Sequence, residues 1–236
     1  MKARLILCLL LVMSMDCLAQ NETETHVFWQ PGAKLSYDMF QGAPSDTVSA
    51  VQKLRGWNIN FEVYLGFWHA VDIPRSMKDR NKMPEKYYFC AAMEKGRSVL
   101  LVRDSTELKY CQMLWDICEL ATRVARERLE HYVGLKRAAS RKKDKYVVCR
   151  ECMTAVNDGK EYGRDMTRMF FSEVARPRNE EAYRIMRARV DSLLTEYKDY
   201  ATTEEEIRRL STGQPDKKYM EVIPMEDSKG RGDIRF

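Results

Sequence analysis

The stretch from Asp104 to Leu135, DSTELKYCQMLWDICELATRVARERLEHYVGL, constrains this chain more than any other. Apolar residues recur at Leu108, Cys111, Leu114, Trp115, Cys118, Ala121, Ala125, Leu129 and Tyr132. That spacing predicts a single amphipathic helix with one buried face. Asp104 and Glu107 form a capping-box pattern at its start. The chain has 236 residues, enough to bury a substantial core against such a helix.

The flanking segments supply the partners of that face. From Trp57 to Val71, Ile59, Phe61, Val63, Leu65 and Phe67 alternate with Asn60, Glu62, Tyr64, Gly66 and Trp68, which predicts a strand with one core face. Tyr87–Met93 reads as a second strand and Ser98–Val102 as a third. Glu94-Lys95-Gly96 would be the turn of a hairpin between them. Tyr146–Met153 is either a further strand or the start of a helix. Glu161–Val174 and Asn179–Tyr200 read as helices, the latter with Ala182, Ile185, Met186, Val190, Leu193, Leu194 and Tyr197 as its apolar stripe. Thr202 or Thr203 would cap a short helix through Leu210. The fold class is therefore α+β: a small, mostly antiparallel sheet on a long central helix, with further helices towards the C-terminus. Beyond Ser211 the composition turns polar and reads as a flexible tail over 211–236, with a short strand at Tyr219–Ile223. Arg231-Gly232-Asp233 in that tail matches an adhesion tripeptide, a weak signal at three residues.

Residues 1–19 read as an export signal. Lys2 and Arg4 precede a short apolar core from Leu5 to Met15, and Cys17-Leu18-Ala19 resembles a signal-peptidase site. The core is too short to span a bilayer. Lipidation at Cys17 is the weaker alternative, because Ser14-Met15-Asp16 is a poor approach to a lipidated cysteine. The expected location is exported and periplasmic, with a folded domain over 20–210. The formal charge of +5 implies no nucleic-acid partner by itself. The basic run Lys136–Lys145, KRAASRKKDK, lacks interleaved aromatic residues; an anionic lipid surface is a weak alternative contact for it.

Five cysteines follow the signal: Cys90, Cys111, Cys118, Cys149 and Cys152. An odd number leaves at least one thiol without an internal partner. Cys149-Arg150-Glu151-Cys152 is a CxxC, the spacing of a redox disulfide or of half a zinc site. Cys111 and Cys118 lie two turns apart, about 10 Å along a straight helix, and cannot bridge each other. Buried thiols, a structural disulfide, thiol redox and metal binding all stay open for this set. The three histidines, His26, His69 and His131, show no metal-ligand spacing. Asp116, Glu119, Arg123 and Arg126 run from acidic to basic along the long helix. Periodicity alone favours ordinary helix electrostatics for them, worth a few tenths of a kcal/mol (~0.2–0.5) if exposed.

The central helix carries a more specific pattern. Ser98-Val99, then Leu108-Lys109-Tyr110-Cys111-Gln112-Met113-Leu114-Trp115-Asp116-Ile117-Cys118-Glu119, then Thr122-Arg123, resembles the core motif of the DUF922 family. These are exported bacterial proteins, frequent in Bacteroidetes and classed as zinc-dependent peptidases, whose helix reads like LLxHEQxHFDIxExxAR. Trp29 with Lys34–Gly42 resembles that family's opening W…LTWxDFxG segment, and Asn179–Leu194 resembles its final helix less specifically. The likeness spans Trp29 to Tyr200 and implies a zincin-like frame. Gln112, Asp116, Ile117, Glu119 and Arg123 match, and Trp115 keeps an aromatic where the family has phenylalanine. The two metal histidines correspond to Tyr110 and Leu114, and the catalytic glutamate to Cys111. Where a further histidine is expected, this chain has Val174-Ala175-Arg176.

Tyrosine and leucine one turn apart cannot replace two imidazoles, and a thiol is no substitute for a carboxylate base. The resemblance therefore implies a degenerate member without metal or cofactor. It would be an exported pseudo-peptidase with a binding or structural role in the cell envelope and a protein or peptide as partner. The alternative is an active hydrolase or thiol-redox enzyme whose metal or cysteine site has moved, with Cys149 and Cys152 as its first candidates.

Overall fold

The computed structural model describes residues 22–44, 56, 58–139 and 149–222. The signal segment with Cys17, Trp57, the basic link beyond Ala139, residues 146–148 and the tail from 223 with Arg231-Gly232-Asp233 lie outside the described residues.

The long helix α1 runs from Ser105 to Ala139. Asp104 starts it by accepting the Thr106 amide. That bond holds the Asp104 carboxyl below its usual range. Glu107 does not complete a capping box: its carboxylate accepts from Asn60 at 3.1 Å and from Arg178 at 2.6 Å. The expectation of one buried face falls short. Every residue from Tyr110 to Ala125 is buried except Gln112, which is half-buried. A helix covered on all sides is a core element rather than a surface one.

Its cover comes from described segments on both sides of it in the chain. β1 (His26–Phe28), β3 (Leu65–Pro74), β4 (Lys86–Glu94) and β6 (Tyr219–Val222) form one antiparallel sheet in the order β1-β4-β3-β6. Phe67 stands opposite Ala91, and Val71 lies between Tyr87 and Val222. One sheet face packs Phe67, Val71, Ile73 and Phe89 on Ala125 and Leu129 of α1 and on Cys152, Ala155 and Val156 of α2, Cys149–Phe170. The other face packs Phe28, Ala70, Tyr88, Cys90 and Ala92 on Ile207 and Leu210 of α4, Glu204–Thr212. With both faces covered, β3 and β4 are apolar on both sides, so strict alternation fades along them.

Several expectations are corrected here. The strand predicted from 57 to 71 breaks after Glu62: β2 is Phe61–Glu62, and β3 restarts at Leu65 and runs on to Pro74. The predicted hairpin between the second and third strands does not form. Lys95–Arg97 is a 3-10 turn, and β5 (Val99–Leu100) pairs with β2, placing Phe61 opposite Leu100. The long hairpin is instead β3–β4, closed over the charged connection 75–85. Of the two states open to Tyr146–Met153, the described part, Cys149–Met153, takes the helix, and α2 runs unbroken into a π-type turn at Phe171–Ala175. Helix α3 is Glu180–Glu196, capped by Asn179, whose Oδ1 accepts the Ala182 amide at 3.0 Å; Lys198–Tyr200 is a separate 3-10 turn. Of its predicted stripe, Met186 and Val190 are buried, whereas Ile185 is 63% exposed. Thr203 and Glu206 cap α4 reciprocally, and Gly213 ends it at φ +64°. Residues 211–222, read as tail, are part of the fold through β6. The bidentate Arg209–Asp72 pair, both bonds 2.7 Å, fastens α4 to β3, and Arg209 reaches Glu221 of β6 as well. Asp72 and Glu221 hold the Arg209 guanidinium above its ordinary value despite burial.

The architecture is thus α+β, an antiparallel sheet on a long central helix with further C-terminal helices, as the periodicities imply.

Candidate functional site

Tyr110, Cys111 and Leu114 lie near the N-terminal end of the buried part of α1, with exposures of 1%, 0% and 1%. Tyr110 and Leu114 are one turn apart and share a helix face. The Tyr110 ring meets Phe170 edge-on, centroids 5.5 Å apart, and Tyr183 of α3 at 5.7 Å. Phe170 is placed there by the last turn of α2, just before the π-type turn. Arg178 lies over the Tyr110 ring at 5.7 Å while its Nη1 reaches Glu107. It does so from a left-handed backbone, φ +55°, a conformation that costs a non-glycine residue about 1 kcal/mol or more. Cys111 and Leu114 belong to the same apolar cluster as Phe61, Trp115 and Phe170. The three positions form a packed plug rather than an open cleft.

The plug is poor in usable chemistry. Burial, and then the Glu107 carboxylate, push the Cys111 thiol well above its usual range, so it stays protonated. The Tyr110 phenol is raised by burial and by Glu180. Its hydroxyl and Glu107 Oε2 are buried without a hydrogen-bond partner among the described residues. Among the described residues no three His, Cys, Asp or Glu side chains converge where a metal ion could sit. The histidines are elsewhere. His26 packs on Trp68, His69 lies in β3 beside Phe67, and His131 is on the distal part of α1.

Gln112, Asp116, Glu119 and Arg123 behave differently, and the reading of Asp116, Glu119, Arg123 and Arg126 as ordinary helix electrostatics is overturned by the burial of the first three and the long-range partners of all four. Gln112 Oε1 accepts the Leu35 amide at 2.9 Å. Asp116 accepts from Trp29 Nε1 at 2.8 Å, from Gln112 Nε2 at 3.1 Å and from Arg187 Nη1 at 2.6 Å. Burial would lower the Arg187 guanidinium, but Asp116 and Asp191 outweigh it and hold it above its ordinary value. Glu119 accepts Arg123 Nε at 2.8 Å, the Thr202 amide at 3.0 Å and the Thr202 hydroxyl at 2.7 Å. Arg123 also donates to the Leu194 carbonyl and lies over the Trp29 ring at 5.0 Å. One further turn on, Arg126 binds Glu206 at 2.9 Å. The series ties the N-terminal segment, α3 and the start of α4 to one seam of α1.

Cys90, Cys111 and Cys118 are free thiols, and all three are buried, as is Cys152. Burial raises Cys90 and Cys118 as it does Cys111. Cys152 sits in the first turn of α2 within the sheet-facing cluster; the Cys149 side chain lies outside the described residues.

Sequence reasoning singles out neither Arg178 nor Arg187, and it reads Glu107 and Glu206 only as first-turn residues of their helices. A signal was present for their partners. Gln112, Asp116, Glu119, Arg123 and Arg126 are spaced four, three, four and three apart, a single charged or amide seam through the otherwise mostly apolar stretch from Tyr110 to Arg126. A seam that narrow is a mark of buried charge rather than of a solvated face. Comparison with known protein families, curated proteins and solved structures finds no match.

Proposed function

We propose that this chain is an exported, non-catalytic protein on a zincin-like frame. It would be a degenerate relative of the DUF922 peptidases, with a binding or structural role in the periplasmic cell envelope and a protein or peptide partner. The observation that carries this reading is the plug. Tyr110, Cys111 and Leu114 occupy the positions that resemble the family's two metal ligands and catalytic base, and they are buried in one apolar cluster. Gln112, Asp116, Glu119 and Arg123, which match the family motif, make long-range bonds that hold the frame. Loss of the chemistry with retention of the scaffold is what a pseudo-peptidase would keep.

The competing reading, a hydrolase or thiol-redox enzyme with a relocated site, rests on Cys149 and Cys152. Both are tested together by assaying the purified protein for hydrolysis of unfolded casein and for thiol–disulfide exchange. The expected result is no activity above a heat-denatured control, unchanged by a chelator and by Cys149→Ser or Cys152→Ser. Activity that disappears with the chelator or with either serine variant would overturn the proposal.

A further inference from the structure

Two basic segments meet at one end of the sheet. The connection from β3 to β4, residues 75–85, leaves β3 at Pro74, which stands opposite Tyr219 at the start of β6. The Arg75 amide donates to the Lys218 carbonyl at 2.9 Å, and the Tyr219 hydroxyl donates to the Pro84 carbonyl at 3.2 Å. Tyr219 is buried, so both ends of the connection are fixed against the start of β6. Arg80 Nε bonds the Pro74 carbonyl at 3.1 Å, and its Nη2 reaches Met220 Sδ at 4.0 Å. The two segments therefore present one surface.

That surface is basic and its charge is uncommitted. Arg75, Lys78, Lys82, Lys217 and Lys218 are exposed, and Arg80 is half-buried. None of the six makes an ion pair among the described residues. Their segments also carry Asp79, Glu85 and Asp216, half as many carboxylates. Glu85 accepts the Tyr87 hydroxyl, and Asp216 accepts the Lys218 amide at 3.1 Å. Glu221, next along β6, is held by Arg209. Among the cations stand two exposed methionines, Met77 at 61% and Met220 at 39%. Methionine is a residue that cores usually take, and Met93, Met113, Met166 and Met186 of this chain are buried. Arg75–Lys78 are four exposed residues in a row, so Met77 is carried outward on a projecting turn. Apolar side chains ringed by cations suit an anionic bilayer, where phosphates meet the charge and the headgroup–acyl boundary takes the apolar groups. An acidic peptide would match the charge and leave the methionines in water.

We infer that this end of the sheet docks on an anionic phospholipid surface. The six cations meet headgroup phosphates, and Met77 and Met220 enter the boundary between headgroups and acyl chains. The contact is peripheral and salt-sensitive, because exposed charges are screened within about 10 Å at moderate salt. It is separate in sequence from the basic run Lys136–Lys145. The surface shares no residue with the plug at Tyr110, Cys111 and Leu114. Its failure would therefore leave the pseudo-peptidase reading standing, and the reverse holds too.

The test is sedimentation of the full chain with two kinds of vesicle, phosphatidylcholine alone and equal parts of phosphatidylcholine and phosphatidylglycerol. The chain should sediment with the mixed vesicles and not with the neutral ones, and added salt should release it. Lys78→Gln combined with Lys217→Gln and Lys218→Gln should weaken the binding about tenfold or more. Met77→Ser alone should weaken it about threefold. All four positions are exposed, so both variants should keep the wild-type unfolding midpoint, which is checked alongside. Binding through the apolar segment Leu5–Met15 or through Lys136–Lys145 would be the same in the variants as in the wild type. Equal sedimentation with neutral vesicles, or unchanged binding in either folded variant, would overturn the inference. So would saturable binding of a capped polyglutamate peptide by a chain that ignores the mixed vesicles.

Discussion

Helix α1 buries two neighbouring stretches of unlike chemistry. From Tyr110 to Leu114 it meets its surroundings through rings, a methionine, a leucine and a neutral thiol, with Gln112 as the one polar contact. From Asp116 to Arg126 it adds to the apolar packing of Ile117, Cys118 and Leu120 a set of carboxylates and guanidinium groups with named partners up to 87 residues away. An apolar contact accepts any neighbour of fitting shape, so the first stretch sets volume. A buried carboxylate tolerates only matched donors, so the second stretch selects which segments dock on α1 and in what alignment. On the proposed reading, the first kind of contact fills the place of a metal centre without disturbing the second.

Breaking the charged stretch should cost most. Arg123→Met strands the Glu119 carboxylate in a fully buried position and should lose about 3–5 kcal/mol in urea unfolding. Adding Glu119→Met should recover much of that loss. A double variant no more stable than the single one would show that the pair does not act as a unit. In the plug, Leu114→Ala should cost about 3 kcal/mol, while Leu114→Met should cost less than about 1.5 kcal/mol. Equal effects would mean that position 114 is set by more than volume.

Much of this contrast is visible in the sequence, and the rest is hidden for identifiable reasons. Nine regularly spaced apolar residues and Asp104 mark α1, and Thr203 with Glu206 marks α4, because both signals are local. The pairing of β5 with β2 is not local; it depends on the 3-10 turn at Lys95–Arg97, which redirects the chain away from a hairpin. The first half of helix α2 is faint in the sequence because Asn157 and Gly159 weaken its propensity. The structure gives the reason for the glycine. A Cβ on Gly159 would come within 2.5 Å of the Ala121 carbonyl and 2.9 Å of the Ala125 Cβ, so the glycine permits close approach of α2 to α1. Gly159→Ala should therefore destabilise by about 1–3 kcal/mol. Helix propensity alone predicts a gain of about 1 kcal/mol, so the sign of the measured change decides between packing and propensity.

The thiols give the smallest effect and separate the two stretches by pH. Cys111 and Cys118 are raised by burial and then by Glu107 and Glu119 respectively, so the folded chain holds these protons after the unfolded chain has lost them. Stability is full below the unfolded thiol value, about 8.5, and falls as pH rises from there towards the raised folded values. The urea midpoint of the wild type should drop more between neutral and alkaline pH than that of Cys111→Ala or Cys118→Ala. Parallel drops would place the alkaline sensitivity elsewhere.

The central claim is that the plug at Tyr110, Cys111 and Leu114 has replaced a metal centre. The direct measurement is the zinc content of the purified chain after equilibration with zinc and removal of the excess. The account predicts far less than one zinc per chain, unchanged by Tyr110→Phe, Cys111→Ala or Leu114→Met. Near-stoichiometric zinc that is lost in any of these variants would contradict it.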